Sequence, residues 1–438
     1  MYKPRPTFSI NRTLRAVFRL FFMSLILNTV SGIAAANEAG STEHSQIEYN
    51  IFGIADIGWA TASTKHGWLE EGFGKTRFDE ETDGAYLGFL GLGLDLDFNL
   101  ETSFKLRLVG DQELKPTGRI TEVFMEYSPA PTSAWKQQWQ AGFFYAPFSL
   151  ENRGPLWTSP YTVNISAINT WIAEELRTLG VQHRLTYLGL APTSNSKVSL
   201  IGSFFFSNDP AGSLLSWRGW ALHDLQAGLG SEIPFPALSN FNPGEEFENQ
   251  APYSKPFEEI DNRPGFYVGA DWSNDYWDTL AFYHYDNQAD PSILESGQYA
   301  WRTRFDLLNF EKKLPFGITV LLQWMKGDTR MENKLNEPMV INDFQSHFLL
   351  LSKRMGATRL SLRYEEFQVD DLDQTPHDSN DEWGHAWTLS ASHVFQKRIK
   401  VSAEYLSIDS WRKSRHYWNI KPKQTESQWL VSARYFFK

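Results

Sequence analysis

Apolar and polar residues alternate with period two in segment after segment of this chain. In GITVLLQWMK, Ile318, Val320, Leu322 and Trp324 share one face, and Thr319, Leu321 and Gln323 share the other. In SQWLVSARYFF, Trp429, Val431, Ala433, Tyr435 and Phe437 oppose Gln428, Ser432 and Arg434. In AWRTRFDLL, Trp301, Thr303, Phe305 and Leu307 oppose Arg302, Arg304 and Asp306. Successive strand residues point to opposite faces, so this is the pattern of strands with one apolar and one polar face. About sixteen such segments follow one another from residue 47 to the end, most of them roughly 9 to 15 residues long, enough to cross a bilayer at a tilt.

The connections alternate between short and long. Turns such as PAPTSA, APTSN, SND, EKKL, MGAT and QKR alternate with long loops at 62–84, 150–177, 207–264, 327–343, 368–382 and 409–426. Hydrocarbon leaves no backbone group unpaired, so strands cross it only as a closed barrel. The pattern therefore predicts an all-β, transmembrane antiparallel barrel of about sixteen strands, with short periplasmic turns and long extracellular loops. Aromatic residues at strand ends, including Trp59, Tyr86, Tyr127, Trp139, Tyr187, Trp272, Trp277, Tyr364 and Trp429, fit the two interfacial girdles.

Composition adds the compartment. The first 36 residues hold Lys3, Arg5, Arg12, Arg15 and Arg19 and no acid, then a short apolar run and Ala34-Ala35-Ala36. This predicts a cleaved signal peptide over 1–36 and a single barrel domain over 37–438, in the outer membrane of a Gram-negative bacterium. Losing those five cations takes the formal net charge from −11 to −16, which argues against nucleic acid as a partner. The absence of cysteine excludes disulfides, thiolate metal sites and thiol nucleophiles.

The stretch 150–177, between the fifth and sixth segments, is aromatic and charged. Glu151, Arg153, Glu174, Glu175 and Arg177 supply charge; Trp157, Tyr161 and Trp171 supply bulk; Asn164 supplies an amide. NTWIAEEL reads as one or two helical turns capped by Asn169 or Thr170, with the glutamates in the first turn. A barrel of this size encloses an aqueous interior, and fixed charge with rigid bulk of this kind suits a constriction of it. Extending the alternation places Lys105, Arg107, Arg184, Arg302, Arg304, Arg359, Arg363, Lys400 and Arg434 in the lumen. A nearly equal set of acids joins them, including Asp95, Glu122, Glu126, Asp271, Asp286, Asp306, Glu365 and Glu404. Charge rings of this kind set selectivity in pores. The loop 207–264 carries nine acids against three bases, and reads as a solvated acidic loop.

AGFFYAPFSLEN (Ala141–Asn152), LRTLG (Leu176–Gly180) and GAYLGFLGLGLDL (Gly84–Leu96) resemble the corresponding regions of the phosphate-selective porin O/P family. The resemblance implies a passive diffusion channel for small hydrophilic or ionic solutes, with an anion or phosphate preference. It also implies that the third outer loop, 150–177, folds inward to constrict the lumen, and a homotrimer among outer-membrane lipid and lipopolysaccharide. The stretch 150–177 contains no lysine. No cofactor, metal or catalytic residue is expected, and the chain is not expected to be an enzyme. The alternative is a plugged barrel acting as a hydrolase or a surface binding protein. For that alternative, His284 with Asp286, and His385 and His393 near Ser390 and Ser392, are the side chains to place.

Overall fold

The computed structural model describes residues 47–189, 196–274 and 278–438. The expected signal peptide and Trp277 lie outside the described residues. Sixteen strands form one closed barrel: β1 (Glu48–Ala62), β2 (Gly84–Asp97), β3 (Thr102–Gly110), β4 (Gly118–Tyr127), β5 (Trp135–Phe144), β6 (Thr178–Tyr187), β7 (Ser196–Phe206), β8 (Gly265–Asn274), β9 (Thr279–Asp286), β10 (Arg302–Leu314), β11 (Ile318–Glu332), β12 (Pro338–Met355), β13 (Thr358–Asp371), β14 (Glu382–Phe395), β15 (Ile399–Arg412) and β16 (Lys423–Phe437). Neighbours pair antiparallel in chain order, and β16 returns to β1 from Gly53↔Phe437 to Ala62↔Gln428. The ring has no free edge, so its ladder groups are paired within the chain.

Burial alternates along each strand and shows which face is which. Leu322, Leu349, Leu351, Leu362, Trp387, Leu389, Trp429 and Val431 are exposed on the outward face. A continuous apolar surface of this kind suits hydrocarbon rather than water. Trp59, Tyr127, Trp139, Trp272 and Trp429 belong to this outward set, whereas Tyr86 turns inward against Phe78, with ring centroids 4.6 Å apart.

Long and short connections alternate as expected, with one difference. The loop expected at 327–343 shrinks to 333–337, because β11 and β12 continue pairing to Met331↔Val340. Their outward residues there are Lys326, Asp328, Arg330, Asp343 and Gln345, so the alternation fades in the sequence while the backbone ladder goes on.

The interior is divided. The inward face of β8 to β13 carries a large apolar cluster among polar positions: Tyr267, Tyr283, Tyr285, Phe305, Leu307, Leu321, Met325, Phe344, Phe348 and Phe367 are buried in one cluster with Phe148, Ile168, Trp171 and Ile172 of the loop between β5 and β6. This reverses the faces expected for AWRTRFDLL. Phe305 and Leu307 point into the barrel because loop aromatics fill it there, and Arg302, Arg304 and Asp306 point outward, above the level of Leu308 and Phe310.

Candidate pore constriction

The third loop re-enters the barrel and is bonded to the inward wall. Phe148 enters a cage of Tyr267, Tyr283, Tyr285 and Phe305 rings, at centroid distances from 5.3 to 6.2 Å. Its carbonyl accepts from the side-chain amides of Asn309 at 2.8 Å and Gln323 at 2.7 Å. Glu151 is fully buried. It accepts from Arg363 at 2.6 Å, the Thr162 hydroxyl at 3.0 Å, the Ser166 N–H at 2.9 Å and the Asn169 amide at 3.1 Å. Asn164 donates its backbone N–H at 2.8 Å and its side-chain amide at 3.0 Å to Glu404 on β15. Arg153 is half exposed and pairs with Glu311.

Helix α1 (Ala167–Glu175) is buried throughout. Its N-cap is Ser166, whose hydroxyl accepts from the Asn169 N–H at 3.3 Å. The helix therefore starts earlier than Asn169, and Glu174 and Glu175 fall in its last turn rather than its first. Helix dipoles disfavour acids there, and specific partners compensate. Glu174 takes both Arg218 nitrogens at 2.6 Å and His223 Nε2 at 2.9 Å. Burial alone would raise its pKa, but Arg218 and His223 outweigh burial and hold it at about 2. Glu175 accepts from Trp171 Nε1 at 2.5 Å, from the N–H of Gly212 and Leu214, and from the Ser213 hydroxyl. It thus caps α2 (Ser213–Trp217) of the next long loop, and burial pushes it up to about 7. Gly212 (φ +103°) permits that contact, since a Cβ there would strike the Thr303 and Thr329 hydroxyls of the wall.

The remaining loop residues are also placed inward. Arg177 lies 4.0 Å over the Tyr145 ring and donates to the Ala173 carbonyl at 2.7 Å; burial lowers its pKa. Trp157 stacks on Tyr145 at 4.1 Å and an interplanar angle of 3°. Trp171 packs edge-on against Trp220, Phe305 and Phe344. Tyr161 lies beneath the Arg359 guanidinium at 4.9 Å.

Most inward bases neutralise inward acids. Lys105 pairs with Glu126 at 3.3 Å, Arg107 with Asp95 at 2.6 Å, Arg184 with Asp271, Arg363 with Glu151 and Glu365, and Arg434 with Asp56. Arg302 and Arg304 do not line the lumen. They bind Asp286 at 3.1 Å and Asp328 at 2.7 Å on the outside.

Arg359 and Lys400 differ from these pairs: like Arg177, neither has a carboxylate partner among the described residues. Arg359 donates to the Ser352 hydroxyl at 2.7 Å, and the buried Lys400 reaches only the Ser159 carbonyl at 3.5 Å. With Arg354, Lys397 and Arg434 they line a cavity of about 500 Å³ at the short-turn end, roofed by the loop stretch 154–160. No carboxylate lines it. Sequence reading did not single out Arg354 or Lys397. The signal was two basic turns, SKRMGAT and FQKRIK, two connections apart.

The longest loop, 207–264, also packs inward rather than lying solvated. Its Arg218 and His223 hold Glu174, and the His223 ring stacks on Trp68 of the first loop at 4.7 Å. Asp209, Glu259 and Asp261 of the same loop bring carboxylate oxygens within 4.8 Å of one another. Asp209 accepts from the N–H groups of Ile260 and Asp261 and is pushed up to about 8, by burial first and by those two acids next.

The hydrolase side chains do not converge. His284 faces outward to Asp306 at 2.8 Å, and His385 faces outward to Asp409 at 3.6 Å. Ser390 and Ser392 are buried on the opposite, inward face of β14.

No family model matches the chain, and no curated protein matches it at a significant level. Similar solved structures include the outer membrane channel DcaP of Acinetobacter baumannii, at 10% identity and TM-score 0.54 over 91% of this chain and 99% of that one. They also include the anion-selective porin from Comamonas acidovorans, at 11% identity and TM-score 0.45 over 90% and 100%. At this identity the DcaP likeness shows a shared barrel fold.

Proposed function

We propose that this chain is an outer-membrane diffusion channel for small hydrophilic solutes that prefers anions. The observation that carries the preference is the cation-lined cavity at the short-turn end. Arg354, Arg359, Lys397 and Lys400 there lack carboxylate partners among the described residues, while most other inward bases are paired, and Arg177, the buried exception, is spent on the Tyr145 ring and the Ala173 carbonyl. Unpaired cations in a low-dielectric wall replace the hydration an anion loses on entry. The outward apolar belt supports a membrane setting, with lipid and lipopolysaccharide as its surroundings, and the DcaP barrel is itself described as an outer membrane channel. The resemblance to the phosphate-selective porin O/P family is consistent with anions. Phosphate in particular has weaker support, since 150–177 lacks lysine. Export by a signal peptide over 1–36 and assembly as a homotrimer complete the proposal.

The test is planar-bilayer conductance of the refolded protein across a KCl gradient. A stable open step with a reversal potential of chloride sign supports the reading, and a potassium sign removes the anion preference. Absence of any step at any voltage removes the channel. It would favour a plugged barrel that binds at its surface, a second reading that the filled side of the interior already supports.

A further inference from the structure

Three cavities follow one side of the barrel. At the long-loop end a cavity of about 340 Å³ is lined by Ser63, Gln424, Thr425 and Glu426. In the middle a pocket of only about 10 Å³ is lined by Phe89, Trp157, Asp224, Gln226 and Arg434. At the short-turn end lies the cation-lined cavity of about 500 Å³, which reaches Phe436. The middle and lower cavities share Thr158, Ser159 and Arg434. Along β16 the lining runs from Gln424 through Arg434 to Phe436, roughly 40 Å of strand and, at the usual tilt, about 30 Å along the barrel axis, comparable to the hydrocarbon core of a bilayer. The opposite wall, β8 to β13, is packed shut by α1 and Phe148.

We infer that solute crosses along the β16–β1–β2 wall, and that its narrowest point lies between Asp224 of the longest loop and Arg434 of the last strand. The inference rests on the channel reading above. A pocket of about 10 Å³ holds at most about one water, so it is the tightest of the three spaces along this wall. Arg434 is fixed there by a fork onto Asp56, at 2.8 and 2.9 Å from its Nε. Asp224 is held from the other side by Arg77 of the first loop at 2.9 Å, and Arg77 also grips Glu113 at 2.6 Å. Three loops thus meet at the pinch: Trp157 from the third, Asp224 and Gln226 from the longest, and Arg77 from the first. The expected eyelet residues of α1, Trp171, Glu174 and Glu175, belong to the packed side and stay out of the path.

The chain has no cysteine, so single cysteines report the path without background. The experiment places Asp224→Cys, Ser159→Cys and, on the packed wall, Ser346→Cys in the full-length refolded protein. Each is treated in planar bilayers with the anionic reagent 2-sulfonatoethyl methanethiosulfonate. Labelling is read by mass spectrometry. Ser159→Cys is near-isosteric and guards against misfolding at Asp224. The expected result is labelling of positions 224 and 159 with a loss of current of about twofold or more, and no change at 346. Conducting channels in which 224 and 159 are unlabelled, or labelled without loss of current, overturn the inference and leave the channel intact. So does equal block at 346. Absence of current in the parent protein overturns the channel reading itself, and this path with it.

Discussion

Glu151 and Arg363 stand 212 residues apart in the chain and 2.6 Å apart in the barrel. The same guanidinium donates to Glu365 at 2.7 Å, while Glu404 receives the backbone of Val163 and Asn164 nearby. One buried cation therefore serves a site with three buried carboxylates. Arg363→Ala strands those charges, and breaking a buried pair in this way costs roughly 3–5 kcal/mol. Thermal unfolding of the refolded barrel, followed by gel mobility, is expected to shift clearly downward, with Glu151→Gln shifting it less. An unchanged transition in Arg363→Ala would show that the loop is not locked here.

The longest loop carries a pH dependence of definite sign. Asp209 is pushed up to about 8 from its ordinary 3.8, by burial and then by Glu259 and Asp261. Folding binds that proton, so the loop is most stable below about pH 4 and loses stability as pH rises toward about 8. Glu174, held at about 2, has the opposite sign: its contribution is present above 4.5 and is lost as pH falls toward 2. Between pH 5 and pH 9 Asp209 acts together with Glu175, which caps α2 of the same loop, is pushed up to about 7 and has the same sign, so Asp209→Asn removes the part of the dependence above about pH 7. Limited proteolysis within 207–264, normalised to an unfolded control, is expected to be faster at pH 9, and Asp209→Asn is expected to flatten that upper part. A rate that falls with pH would contradict the assignment.

The cation-lined cavity makes a charge-reversal prediction. Arg359→Glu with Lys397→Glu, both on its lining, is expected to move the reversal potential toward potassium while leaving an open step. Arg304→Glu, outside the barrel and paired to Asp328, is expected to leave it unmoved. Equal shifts from both variants would place selectivity elsewhere.

The outward belt is tested by depth. Leu389 is exposed in the midst of apolar neighbours, whereas Glu366 lies in the polar band beside His347 and His385. Leu389→Arg is expected to cost about 2–4 kcal/mol in urea unfolding from lipid vesicles, and Glu366→Arg under about 0.5 kcal/mol. Equal costs would mean that the belt is misplaced.

The strand number and the alternation of turns and loops were legible because lipid demands them directly: outward residues must be apolar and ladders must close. The inward fold of 150–177 was expected from the resemblance to porins; its aromatic and charged content was compatible with that fold without dictating it. The fate of that loop's glutamates was not legible, because Glu174 and Glu175 are stabilised by Arg218, His223 and α2, some forty residues further along the chain. Arg302 and Arg304 were misread because alternation tells faces apart without naming them, and β10 has packed loop against its inward face and an outward face that turns from apolar to charged along its length. A usable sign was present: β8 to β12 carry large apolar residues on both faces, including Tyr283 with Phe282 and Leu321 with Leu322. A wall apolar on both faces is in contact with something apolar inside. Asp224 had no signature, being one acid among nine in its loop; it is held by Arg77 of the first loop, a partner 147 residues earlier in the chain.

The inward loop has a consequence for how the molecule is made. Its wall partners Asn309, Glu311, Gln323, Arg363, Glu365 and Glu404 all follow it in the chain, as far as 241 residues later. The key is synthesised first and the keyhole last. An emerging chain can set Leu156 of its third loop against Ile54, Phe89 and Val109 of the first strands, but the hydrogen-bonded part of the socket exists only once the later strands arrive. The finished seat of the loop therefore depends on closure of the ring, and a barrel stopped short of its last strands would lack it.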